Sequence, residues 1–223
     1  MSPAPRRPGP FSVVAFVCVA ALLSANCHGA DKKKVTASSV PTTDAKGQAK
    51  VSLALHLGRL SVLAVDTAKP FDRATAKKIL QLVNGYIADG MTKPLFTGAA
   101  SRSLATFFAP SLASRIGTKA RDRTALTDEH VPPLTSVTKT VEKPLALSGL
   151  QRGGRLLMIG AQLAISVKGA TADGPLAVSR IGNLVFEPDA KNHWHITGYT
   201  IVVQRATGTS ATSQKATTTT AAK

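Results

Sequence analysis

Cysteine is almost missing from this 223-residue chain: Cys18 and Cys27 are the only two. A domain beginning after them can form neither an intramolecular disulfide nor a thiolate metal site, and must be held by its core alone. Aromatic residues are scarce too, with seven Phe, two Tyr and one Trp, so that core is expected to be aliphatic. Acidic residues number 12 against 28 Lys and Arg, for a formal net charge of +16. From Lys50 to Arg205 there are twenty basic and ten acidic side chains, a surplus of ten, which leaves +6 for the two flanks. The basic residues stand singly, and no aromatic stripe accompanies them. The charge therefore reads as a solvated surface with some attraction to an anionic envelope surface, not as a nucleic-acid footprint. No motif of catalytic or ligand-binding specificity occurs, and no cofactor is implied.

The longest apolar run, Phe11 to Ala25, follows Arg6 and Arg7. Its length, about fifteen residues, suits the apolar region of an export signal and is short for a membrane span. Cys27 comes directly after it, and residues 28–49 are rich in Lys, Ala, Ser and Thr. Such a stretch buries too little apolar surface to offset the cost of ordering and is expected to be a disordered tether. This arrangement resembles a bacterial lipoprotein, which implies diacylation of Cys27 and attachment to the extracytoplasmic side of a membrane. Cleavage after Ala25 or Ala30, giving a secreted protein, and an uncleaved anchor remain open. The expected plan is a signal or anchor over 1–27, a tether over 28–49, a single α+β domain over 50–205 and a disordered tail over 206–223.

Within the domain, Val51, Leu53, Leu55 and Leu57 alternate with smaller or polar residues, and the phase flips at Gly58-Arg59 to Leu60 and Val62. That pattern predicts a strand with a bulge. Asp72 is a suitable N-cap for a helix to about Ala88, with Ile79, Leu80, Val83 and Ile87 as its apolar stripe and Gly90 placed to close it. Short helices are expected from Ser101 and from Ser111. Strands follow at Ser136–Val141 and Pro144–Leu150. Along Arg155–Lys168 one face (Leu157, Ile159, Ala161, Leu163, Ile165, Val167) is wholly apolar and predicted to be buried. Ser179–Glu187 and His193–Arg205, joined by Pro188-Asp-Ala-Lys-Asn192, form the most legible hairpin. A curved antiparallel sheet of about four to six strands, wrapped on one long helix with short helices beside it, would bury these faces.

Few residues stand out chemically. His193 and His195 share one strand face, a spacing that suits two metal ligands, with His56, His130, Glu187 or Asp189 as a conceivable third; the plainer reading is a surface pair. Asp128, Glu129 and His130 form the one acid-imidazole cluster, read as a solvated helix end because neighbours on a turn diverge.

The runs Ser179-Arg-Ile-Gly-Asn-Leu-Val-Phe186 and Trp194-His-Ile-Thr-Gly-Tyr-Thr-Ile-Val-Val203 resemble the cone-shaped domains of the nuclear-transport-factor-two-like and SnoaL-like family. The resemblance implies a cone wrapped around a helix, in an exported or lipid-anchored bacterial protein. Enzymes of that family place an Asp or His and a Tyr in the cone, and no position here matches them. The nearest pocket candidates, Tyr86, Arg180 and Tyr199, have no acid in register with them along the sequence. The expected role is thus non-enzymatic, binding a partner protein or small apolar ligand at a membrane. An isomerase- or cyclase-type enzyme with an unassigned pocket, and a homodimerising envelope-assembly module, are the alternatives.

Overall fold

The computed structural model describes residues 42–43, 49–51, 53–208 and 214–220. The apolar N-terminal run, Cys27 and most of the expected tether lie outside them. Within the tether, β1 (Thr42–Thr43) pairs antiparallel with β2 (Ala49–Lys50). Val51, Leu53 and Leu55 are buried while Ala54 and His56 are exposed, as a strand would require, yet no ladder forms there. The Asn84 side chain takes the ladder's place: the Leu55 N–H donates to its Oδ1 at 2.9 Å, and its Nδ2 donates to the Leu55 carbonyl at 3.0 Å. The strand itself, β3, spans Leu57–Ala64 and carries the expected irregularity between Leu57 and Leu60.

A helical block follows. Helix α1 (Arg73–Ile87) starts under the Asp72 carboxylate, which accepts the Ala74 and Thr75 amides at 3.1 and 2.9 Å. Its buried face holds Ile79, Val83, Tyr86 and Ile87. Gly90 does not end the helical path. A π-helical turn (Ala88–Thr92) and α2 (Lys93–Thr97) continue it, and Gly98, at φ 70°, closes it. The value of Gly90 lies in close approach: a Cβ there would meet the Leu126 carbonyl at 3.2 Å and the Leu104 side chain at 2.8 Å. A 3-10 turn (Arg102–Phe107), α3 (Pro110–Thr118) and α4 (Ala120–Leu126) complete the block.

The remaining strands are β4 (Leu134–Glu142), β5 (Leu145–Arg152), β6 (Arg155–Thr171), β7 (Gly174–Pro188), β8 (Trp194–Thr207) and β9 (Gln214–Thr220). The sheet runs β3-β5-β6-β7-β8-β9, with β4 also on β6, for seven strands. Strands β4 and β5 share one edge of the 17-residue β6, β5 along its first half and β4 along its second.

Three expectations are corrected here. The sheet is mixed, not antiparallel, because β3 runs parallel to β5; the helical block between them returns the chain to the same end of the sheet, as a parallel neighbour needs. Its strand number exceeds the expected range, partly because β9 lies in the tail. That tail has no apolar alternation, but its Thr-rich run favours extended backbone, and β8 supplies a ladder for it. Finally, Leu157 is 40% exposed. A register shift between Leu150 and Gln151 turns Leu156 toward the core in its place. Ile159, Ala161, Leu163, Ile165 and Val167 are buried and join Leu147, Leu184, Phe186, Ile201 and the α1 stripe in a single core. Among the described residues no helix is long and apolar enough to cross a membrane.

Candidate functional site

On β7 the inward positions are Leu176, Val178, Arg180, Leu184 and Phe186, so one guanidinium points into an aliphatic core. Arg180 is only 1% exposed. An isolated charge at that depth is prohibitively costly, and it must be paired and fully hydrogen-bonded. The pairing comes from the loop after α4. The Asp128 carboxylate, fully buried, accepts from Arg180 Nη1 and, at 2.9 Å, from Nη2. The Ala125 carbonyl accepts Arg180 Nε at 3.2 Å, and the Thr127 carbonyl accepts Nη2 at 2.9 Å. From β8, Arg205 Nη2 reaches the same carboxylate at 3.0 Å and the Thr124 and Thr127 carbonyls at 3.0 and 3.1 Å. Asp128 is itself fixed by its amide, which donates to the Gly90 carbonyl at 3.0 Å.

A second carboxylate lies six residues earlier. Asp122 on α4 accepts Arg115 Nε at 2.7 Å and Nη2 at 3.1 Å, and the Tyr199 hydroxyl at 2.5 Å. The Tyr86 hydroxyl donates to the Leu126 carbonyl at 3.0 Å, and its ring meets Phe108 edge-on at 5.5 Å. All three pocket candidates thus converge on the 122–128 segment.

Two readings are overturned by this geometry. Tyr199 and Arg180 do have partner acids, Asp122 and Asp128, which lie 77 and 52 residues away in sequence. Asp128 is no solvated helix end; only Glu129 and His130 of its triplet face outward, His130 lying 3.3 Å from Glu129 and Arg123 3.2 Å from the same oxygen.

The electrostatics follow burial and pairing. Burial pushes the Asp122 carboxyl up, but the hydrogen bonds from Arg115 and Tyr199 and the nearby cations hold it below the ordinary carboxylate range. Burial opposes the charge on Arg180, and Asp128 more than offsets it, so the guanidinium holds its proton more firmly than usual. For Arg205 burial prevails, aided by the neighbouring Arg180, and its affinity for the proton falls. Burial raises the Tyr86 hydroxyl far above the normal tyrosine range.

The histidines stand elsewhere. His193 Nδ1 and His195 Nε2 approach Asp189 Oδ2 at 3.4 and 3.6 Å in the β7–β8 turn, and His56 is exposed on its own. Among the described residues no three His, Cys, Asp or Glu side chains gather to hold a metal ion. A groove of about 270 Å³ lies against the ends of β6, β7 and β8, lined by Ser166, Lys168, Ser179 and Gln204 among others.

Comparison with protein-family models, with curated proteins and with solved structures yields no match for this chain. Function must therefore be argued from the residues themselves.

Proposed function

We propose that this chain is a non-enzymatic exported protein, tethered to a membrane through its N-terminus, whose α+β domain forms a cone-like sheet around α1 and binds a partner through its surface. The observation that carries this reading is the sealing of the polar cluster. Arg180 and Asp128 could serve chemistry only if substrate reached them, and their side chains are 1% and 0% exposed. Their hydrogen bonds are directed at one another, at Arg205 and at backbone groups, the pattern of a structural lock. The family resembled in the two C-terminal strand runs includes exported members without assigned chemistry, in keeping with this role. Export and tethering rest on the Phe11–Ala25 run and on Cys27.

Two measurements test the reading. Intact mass of the protein extracted from its native membrane fraction should correspond to a chain starting at Cys27 with a diacylglyceryl group, or to an uncleaved N-terminus. A lipid-free mass starting after Ala25 or Ala30 would remove the tether. Hydrogen exchange at the Asp128 amide should match the slowest core amides, since a structural lock opens only with the fold. Exchange at loop-like rates would mean that the cluster opens to solvent, and would restore the enzyme reading.

A further inference from the structure

Large apolar side chains are exposed together at one end of the sheet, on the face opposite the core. Leu63 is 71% exposed, Val65 67% and Leu157 40%. Leu63 pairs in register with Leu150, and Leu150 with Met158, so an apolar row crosses β3, β5 and β6. Its outward direction is set by the neighbouring row: Gly149, paired with Val62 and Ile159, faces Phe71 and Leu156 in the core. The bulge at Leu157, between the paired Leu156 and Met158, adds its exposed side chain to the row.

The rim of this row is basic. Arg59, Arg152 and Arg155 are exposed around it, the last two as a register pair, while Lys69 lies over Gly154 at the strand end with its amide on the buried Gln151 side chain. The one acid in that turn region, Asp66, accepts the Gly153 amide at 2.8 and 2.9 Å. On the far side Glu187 pairs across the ladder with His195. Contiguous exposed apolar surface marks an interaction site, and a cationic rim selects its partner by charge.

We infer that the Leu63–Leu150–Met158 row with its Arg59, Arg152 and Arg155 rim docks the domain on an anionic phospholipid surface. The protruding Leu63 and Val65 enter the headgroup–acyl boundary, and the guanidinium groups pair with lipid phosphates. The membrane location rests on the reading proposed above; the choice of this face and of anionic lipid does not.

The test uses the full chain carrying Leu63→Trp and Trp194→Phe, mixed with vesicles of brominated lipids. One set is pure phosphatidylcholine and the other contains phosphatidylglycerol. Flotation with phosphatidylcholine reads the tether. Quenching of the residue 63 indole on phosphatidylglycerol reads the docking face. The expected result is strong quenching on the anionic vesicles only, lost in high salt and weakened roughly ten-fold in affinity by Arg152→Glu with Arg155→Glu. Flotation on both vesicles without quenching overturns the face while leaving the tether standing, and cross-linked dimers in that case assign the row to a second copy. Equal quenching on both vesicles overturns the selection of anionic lipid. Quenching on phosphatidylglycerol without flotation on phosphatidylcholine removes the tether and leaves the face intact; no flotation on either overturns both. Should Trp194→Phe impair folding, Leu63→Trp alone is compared with the unaltered chain, whose single Trp is residue 194.

Discussion

Two guanidinium groups, those of Arg180 and Arg205, depend on the buried Asp128 carboxylate. Removing its charge strands Arg180 in an apolar core, and breaking a buried pair in this way typically costs about 3–5 kcal/mol. Asp128→Asn should therefore lower the unfolding free energy by about that amount, read from urea denaturation. Arg205→Met should cost clearly less, since the Arg205 side chain is 25% exposed and its loss leaves the Arg180 pair whole. Equal losses would mean that Arg180 finds its compensation elsewhere. At the second carboxylate the sign of the pH effect is fixed. The Asp122 carboxyl is depressed in the folded state, so its contribution is full above the ordinary carboxyl value of about 3.9 and is lost as pH falls through the lower folded value. Both Tyr199→Phe and Asp122→Asn should flatten the decline of urea midpoint with acid in that window; an unchanged slope in both would take Asp122 out of acid unfolding. One signal for this network was legible in the sequence. Arg180 sits in phase with Val178, Leu184 and Phe186, and an arginine on the buried phase of a strand demands an acid. What could not be read was which acid, because the answer depends on a contact between residues 52 apart. Adjacent charges such as Asp128-Glu129-His130 look alike in sequence whether they face in or out.

Elements were most legible where apolar period and capping agree. Asp72 and the Ile79–Val83–Ile87 stripe mark α1 unaided, and the alternation along β6 marks its inner face. Legibility failed where backbone hydrogen bonds were supplied from outside the element. Val51 to Leu55 alternate like a strand, but the Asn84 amide, not a neighbouring strand, satisfies Leu55. Likewise Gly90 reads as a helix stop until Leu126 is seen to need its bare Cα. The central ladder makes the same demand of another glycine. Gly182 on β7 lies opposite Ile201, and a Cβ on it would fall 1.9 Å from the Thr200 carbonyl oxygen of β8. Backbone cannot retreat as a flexible side chain can, so Gly182→Ala has to pry β7 from β8 and should cost about 3 kcal/mol, the upper end of overpacking effects. Gly160→Ala on β6 is the control. The nearest atom to its added methyl would be 3.8 Å away, and its melting temperature should stay close to that of the unaltered chain. If both variants melt alike, the β7–β8 ladder is looser than described.

At the scale of the whole molecule, the sheet is open, and its behaviour depends on how its two edges are managed. Strand β3, carrying Leu63 and followed by Val65, forms one edge together with β4, and β9 covers β8 at the other. The β8–β9 register runs from Tyr199 opposite Thr220 to Arg205 opposite Gln214. It therefore shields the part of β8 that carries Tyr199, Ile201 and Val203 into the core and Arg205 to Asp128. A chain ending at Gly208 would present those residues on a bare edge, with unpaired amides and carbonyls that template pairing with another chain. Such a truncation should melt at a lower temperature, and light scattering should find association that grows with concentration where the full chain stays at one mass. The same cut lowers the overall stability that carboxyl protonation must overcome, so acid unfolding should begin at higher pH than in the full chain. A truncated protein with unaltered melting, mass and acid midpoint would show that β8 needs no cover, and that the structural lock around Asp128 is complete without the tail.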